Sequence, residues 1–198
     1  MYNAGTRIRK LDTSYGIGVY VGQKRILLAF YTVLILYLML FGFGRTTRYE
    51  TPRMSLAFTS FPMWFPNNYE PFTIWLWIFS LGNILAFAPF GVLIPDCFPH
   101  VLGGYRKSLF LFLLYLTMIE YLQYITRLGI FDIEDIVANM IGYSIGYWAW
   151  RMSYPIEDKL KKANLCIVLI GCLTVFSIAL AEILNSLFFI DPFTNLIP

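Results

Sequence analysis

Two polar series in this chain carry residue types that can do chemistry. Glu120, Gln123 and Arg127 are spaced i, i+3, i+7, and Asp132, Asp135 and Asn139 repeat that spacing. At helical pitch each series lies along one helix face. The planar donor fork of Arg127 suits a phosphate or a carboxylate. The carboxylates and amides can hydrogen-bond a polar headgroup. Two carboxylates can also share acid–base work when their surroundings push their pKa values apart, with Glu120 beside Asp135 the pair in question. Acidic oxygens from Glu120, Asp132 and Asp135 are chemically suited to Mg²⁺ or Ca²⁺. Plainer roles compete for the same residues: Arg127 pairing with Asp132, Asp135 or Glu120, Asn139 bonding helix to helix, and Asp132 and Asp135 capping a helix N-terminus. The sequence has no nucleophile-plus-histidine arrangement. Its one histidine, His100, has no His or Cys at a ligand spacing. No metal and no cofactor is expected. Cys97, Cys166 and Cys172 do not make a disulfide framework.

The elements that must position these residues are membrane helices. Of the 198 residues 58% are hydrophobic and 14% charged, against roughly 45–50% and about 25% in soluble domains. Uncharged runs predict helices over about 26–44, 72–95, 108–126, 134–151 and 164–190. The expected fold is an all-α integral membrane protein, one domain over 1–198, with about five transmembrane helices in a compact bundle. The first helix is expected to be retained, because its apolar run exceeds a signal peptide's and no A-x-A site follows. The segment between 45 and 71 holds Pro52, Pro62, Pro66 and Pro71 among Phe58, Phe61, Trp64 and Phe65. It is too broken to span and too apolar to be solvated, so it should lie interfacially or re-entrantly over the bundle, where irregular backbone needs protein around it.

Eleven of the 15 Lys and Arg fall on one side of the predicted spans, including Lys24, Arg25, Arg106, Lys107 and Arg151, and four, Arg45, Arg48, Arg53 and Arg127, on the other. Positive loops stay inside, which places the N-terminus in the cytoplasm and the C-terminus outside. A net charge of +3 lacks the dense basic field of a nucleic-acid binder.

The short link between residues 127 and 131 makes the third and fourth spans antiparallel neighbours. With about 1.5 Å of rise per residue, Glu120 and Asn139 sit roughly 10 Å below the outer boundary, and both stripes open outward. Asn83, near mid-depth on the second span, and Glu182 with Asn185 on the fifth are placed to close the same pocket. Ionised carboxylates at such depth face the bundle interior. Pro89 removes a backbone hydrogen bond from the second span, and Gly91 leaves room for close approach of a helix or ligand.

Taken together, these residues resemble the VanZ-like family of small bacterial membrane proteins. The resemblance is carried by Leu27 to Tyr31, by Asn68-Tyr69-Glu70-Pro71-Phe72, similar to N-L-x-P-F, and by Asn83 through Phe87 to Pro89-Phe90-Gly91, similar to N-x-x-x-F-x-P-F-G. It is carried most specifically by Ile119-Glu120-Tyr121-Leu122-Gln123 followed by Arg127, Asp132, Asp135, Asn139 and Gly142. Tyr69-Glu70 and Tyr143 depart from the family's usual residues. The resemblance implies a role linked to glycopeptide (teicoplanin) resistance in the plasma membrane of a Gram-positive bacterium.

The leading functional reading is binding of an amphiphilic ligand, either a lipoglycopeptide antibiotic or a cell-wall lipid precursor, with membrane lipids as the surrounding partners. Asn83, Glu120, Gln123, Arg127, Asp132, Asp135 and Asn139 would form the site. An integral-membrane enzyme acting on lipid or precursor headgroups is the alternative, and a lipid or small-molecule transporter a further one. A closed pocket near one membrane face favours binding or chemistry. A polar path running on to Arg106 and Lys107 favours transport.

Overall fold

A computed structural model describes residues 4–42, 49–61 and 71–188. They form six helices and two short strands: α1 (Ala4–Phe41), β1 (Arg53–Ser55), α2 (Pro71–Cys97), α3 (Pro99–Leu102), α4 (Tyr105–Thr126), β2 (Ile130–Asp132), α5 (Ile133–Ser153) and α6 (Lys159–Phe188). The five expected helices are present, and most run past their expected ends. α1 starts at Ala4 rather than near residue 26, and α4 at Tyr105 rather than 108. Hydropathy marks only the part of a helix matched to lipid, whereas Lys and Arg are good helix formers and let the backbone continue into polar flanks. Residues 43–48, 62–70 and 189–198 lie outside the described residues. With them go Arg45, Arg48, Pro62, Trp64, Phe65, Pro66, Asn68 to Glu70 and the predicted last turn up to 190.

Among the described residues, four stretches are long and apolar enough to cross a membrane: Gly22–Phe41, Trp77–Cys97, Tyr105–Thr126 and Lys159–Phe188. α5 is different. Its 21 residues give about 31 Å at helical rise, but its polar and glycine positions dilute its hydropathy. It hides them in the bundle: Asn139, Gly142, Tyr143, Gly146, Ala149 and Trp150 are all buried.

α5 runs parallel to α2, and the two backbones touch. A Cβ placed on Gly142 would run into the carbonyl of Ile84, one on Gly146 into the carbonyl of Ala88, and one on Gly91 into Tyr143 and Tyr147 backbone. Small residues are what allow such approach in membranes, and α2 stays helical through Pro89. Beside this contact Phe87, Phe90, Phe112, Leu116 and Tyr143 form a buried layer between α2, α4 and α5, with Phe112 and Tyr143 stacked at 4.3 Å. α6 packs Ile178 and Ala181 with Ile84, Ala138 and Ile145. α1 is held by the Tyr31 hydroxyl, which donates to the Ala86 carbonyl at 2.7 Å.

The two ends of the bundle differ. At one, Lys24 pairs with Asp96, which also accepts from Trp150 Nε1 at 3.2 Å. The other end carries the α4–α5 turn and the cover expected over the bundle, seen here for residues 49–61. β1 pairs in parallel with β2, Arg53 opposite Ile130, Met54 opposite Phe131 and Ser55 opposite Asp132. Tyr49 N–H donates to the Arg127 carbonyl at 3.0 Å. The Glu134 carboxylate accepts from Thr59 N–H and Oγ1, both at 2.7 Å, and from Ser60 N–H at 3.2 Å. Asn185 clamps Phe61, accepting its N–H at 2.8 Å and donating to its carbonyl at 3.0 Å.

Candidate functional site

The two polar stripes meet under this cover. α4 ends at Thr126, and Arg127 adopts the left-handed conformation (φ 61°) with its N–H on the Tyr124 carbonyl. The reversal brings β2 and the start of α5 back along α4. Asp132 caps α5 by accepting from Glu134 N–H at 2.9 Å, as its plainer reading anticipated. Glu134 and Asp135 occupy the first turn, where the helix dipole favours negative charge.

Asn83 on α2 donates to the Asp135 carboxylate at 3.1 Å. Glu120 on α4 accepts from the Asp132 backbone N–H at 3.4 Å. These two contacts tie three helices into one polar junction. Glu120 and Asn139 have no solvent exposure and Gln123 is 2% exposed. Glu120, Gln123 and Asn139 are therefore enclosed, while Asn83, Asp132 and Asp135 are partly exposed. Burial raises the Asp132 carboxyl above its ordinary 3.8, opposed by the Glu134 backbone hydrogen bond that favours its charged form.

Asn139 faces the same wedge. Gly142, three residues on, touches α2, and Tyr143, four residues on, stacks on Phe112 of α4. Position 139 lies on the line between those directions. Neither its Oδ1 nor its Nδ2 has a hydrogen-bond partner among the described residues.

Two of the expected site residues are placed differently from their neighbours. Gln123 is buried but turned toward α1, donating to the Met39 carbonyl at 2.9 Å beneath Gly129. Arg127 is exposed, and its Nη1 donates to the Glu50 carbonyl at 3.1 Å. The i+7 position falls just past the helix end, so its left-handed backbone takes it off the stripe. It makes no ion pair with Asp132, Asp135 or Glu120 among the described residues. Asn185 holds the cover in place of closing the junction. Glu134, the other anchor of the cover, left no signal in the sequence beyond its place in the first turn of α5.

Among the described residues, no three His, Cys, Asp or Glu side chains gather as a set able to hold a metal ion. Beyond Asn139, toward Arg106 and Lys107, the interior is occupied by the Phe87, Phe90, Phe112, Leu116 and Tyr143 layer. The arrangement can offer hydrogen-bond acceptors and a free amide to a polar group entering from the covered end.

Comparison with known proteins places this architecture in context. The sequence pattern of the VanZ/LLP1 family matches residues 28–154, which contain every element of the junction. Protein VanZ of Enterococcus faecium is 28% identical over 152 residues, covering 76% of this chain and 86% of that relative. No solved structure matches.

Proposed function

The chain belongs to the VanZ/LLP1 family, and from that premise we propose that it acts in glycopeptide resistance as a multi-pass membrane protein of the bacterial envelope. It does so by binding an amphiphilic ligand, a lipoglycopeptide or a cell-envelope lipid, at the junction of α2, α4 and α5. The covered end of the bundle faces the outside of the cell and the Lys24–Asp96 end the cytoplasm, as the positive-inside count requires. The acyl portion of the ligand lies among helices, and its headgroup enters under residues 49–61. Arg127, on the rim, meets an anionic group of the ligand, for which its donor fork is suited.

The observation that carries this reading is the pairing of Asn83 with the Asp135 carboxylate and of Glu120 with the Asp132 backbone N–H where α2, α4 and α5 meet, with the unpartnered Asn139 amide facing them. Buried polar groups in membranes are costly and concentrate at working sites. The aromatic layer beneath supports a closed binding site rather than a polar passage through the bundle.

The test is teicoplanin susceptibility of a sensitive Gram-positive host expressing the chain. Wild-type protein is expected to raise the inhibitory concentration. Glu120→Gln, Asp135→Asn and Arg127→Ala are each expected to abolish the rise at unchanged membrane abundance. No protection by wild type overturns the resistance role, and full protection by all three variants overturns the site.

A further inference from the structure

Resting on that reading of the junction, we propose that the feature recognised at its inner end is a vicinal diol, two hydroxyls on adjacent carbons, as in a glycerol or sugar headgroup. Asn139 has no solvent exposure, and neither its Oδ1 nor its Nδ2 has a hydrogen-bond partner among the described residues. The other amides of the described interior are engaged: Asn83 Nδ2 on the Asp135 carboxylate, Gln123 Nε2 on the Met39 carbonyl, and Asn185 on the Phe61 backbone. A donor and an acceptor left unmet without water are costly, so Asn139 is poised for a group that satisfies both. One helical turn, about 6 Å, separates it from Asp135, which is partly exposed. A headgroup that enters past Asp135 reaches Asn139 with its terminal atoms.

The chemistry of the amide selects the partner. It presents one acceptor and one two-proton donor side by side. A carboxylate or phosphate oxygen would accept from Nδ2 but set its lone pairs against Oδ1. An ammonium would do the reverse. Either brings a full charge to a position without exposure, where an ion is costly unless paired. A trans peptide group points its N–H and C=O in opposite directions, so it meets only one of the two amide atoms. Adjacent hydroxyls meet both, because each oxygen can donate or accept: one donates to Oδ1 while its neighbour accepts from Nδ2. Glu120 and Asp135 are not needed for these two bonds; they hold the Asp132 N–H and Asn83. A primary carboxamide offers the same donor–acceptor pair and is the competing ligand class.

Native mass spectrometry of the full chain in a polyoxyethylene detergent, which has no adjacent hydroxyls, tests this with uncharged single-chain amphiphiles. The probes are 1-O-hexadecylglycerol, its 2-O-hexadecyl isomer, whose hydroxyls sit on separated carbons, and hexadecanamide, with soluble glycerol as competitor. In the wild-type chain the 1-O isomer is expected to bind at least about tenfold tighter than the 2-O isomer, each tenfold being 1.4 kcal/mol. Asn139→Leu is expected to erase that preference, and Gly171→Ala, which has open space around it, to keep it. Displacement by millimolar glycerol supports the diol site and assigns it to a free polyol, whereas resistance to glycerol supports it as a lipid-headgroup site. Equal binding of the two isomers, or tighter binding of hexadecanamide than of the 1-O isomer, overturns the diol while leaving amphiphile binding standing. A preference that survives in Asn139→Leu overturns the role of Asn139. Binding of none of the probes overturns both the diol and amphiphile binding at the junction.

Discussion

Two asparagines in this bundle should respond very differently to one substitution. Asn185 has both amide atoms on the Phe61 backbone, at 2.8 and 3.0 Å, whereas Asn139 has neither atom partnered and no exposure. Leucine has the branching of asparagine but bulkier methyl groups, so an overpacking cost enters at both positions and the comparison between them reads the hydrogen bonds. At Asn185, leucine removes two hydrogen bonds, averaging about 0.6 kcal/mol each in membrane bundles. It also strands the Phe61 N–H and carbonyl beneath the cover. The expected loss is about 1–3 kcal/mol. At Asn139 nothing is lost. The desolvation cost of an unpartnered buried amide, about 1–3 kcal/mol, is removed and offsets the overpacking, so Asn139→Leu should leave the ligand-free protein more stable than Asn185→Leu does. Reversible unfolding of the full chain in mixed micelles, titrated with SDS and followed by circular dichroism, reads both. The same Asn139→Leu chain should confer less protection in the susceptibility assay, a loss of activity without the loss of stability seen for Asn185→Leu. If Asn139→Leu destabilises as much as Asn185→Leu, the asparagine is a satisfied packing residue, and the argument that it waits for a ligand fails.

Gly146→Ala should destabilise by about 1–3 kcal/mol, the usual cost of overpacking, because its Cβ would collide with the Ala88 carbonyl. Gly171→Ala, with open space around it, should be neutral or gain up to about 1 kcal/mol of helix propensity, and thermal melts in detergent distinguish them. Asp132 holds its proton more tightly folded than unfolded, since burial raises its pKa. Its contribution is therefore fully present below about pH 3.8 and declines as pH rises through the raised folded value. Asp132→Asn, which keeps the cap, should flatten that part of the stability–pH curve. Glu134→Ala should free the end of the cover, since Thr59 and Ser60 N–H both bond this carboxylate. Hydrogen exchange at residues 59–61 should quicken severalfold while α2 and α4 keep their protection.

Much of this was legible in the chain because two kinds of signal survive without coordinates. Hydropathy places the helices, and helical periodicity puts Glu120 and Gln123 on one face of α4 and Asp135 and Asn139 on one face of α5, with Asp132 capping that helix. Gly91 is readable as a point of close approach, although only the fold reveals that the backbone it meets is that of α5. The failures have equally physical causes. Periodicity extrapolates a helix that in fact stops, so Arg127 was assigned to a stripe that its left-handed conformation abandons. A charge gives no warning that the helix behind it continues, so α1 and α4 were drawn too short. Two strands of three residues each are too brief to carry a period, and Asn185 gave no sign that its partner was the Phe61 backbone, 124 positions earlier.

The enclosure of α5 bears on how the protein is made. A segment whose hydropathy is diluted by polar and glycine positions, with Glu134 and Asp135 in its first turn and Asn139 one turn further in, is a poor substrate for one-by-one entry into lipid. What makes α5 viable is the surface waiting for it: the Ile84 and Ala88 carbonyls on α2, Asn83 for its acid, and the face of α4 to which it is joined by a tight turn. Biogenesis must then be ordered. α2 and α4 reside in the bilayer first, and α5 enters against them as the second arm of a hairpin, so that a chain interrupted in α2 should strand α5 outside the membrane and hand it to the quality-control proteases.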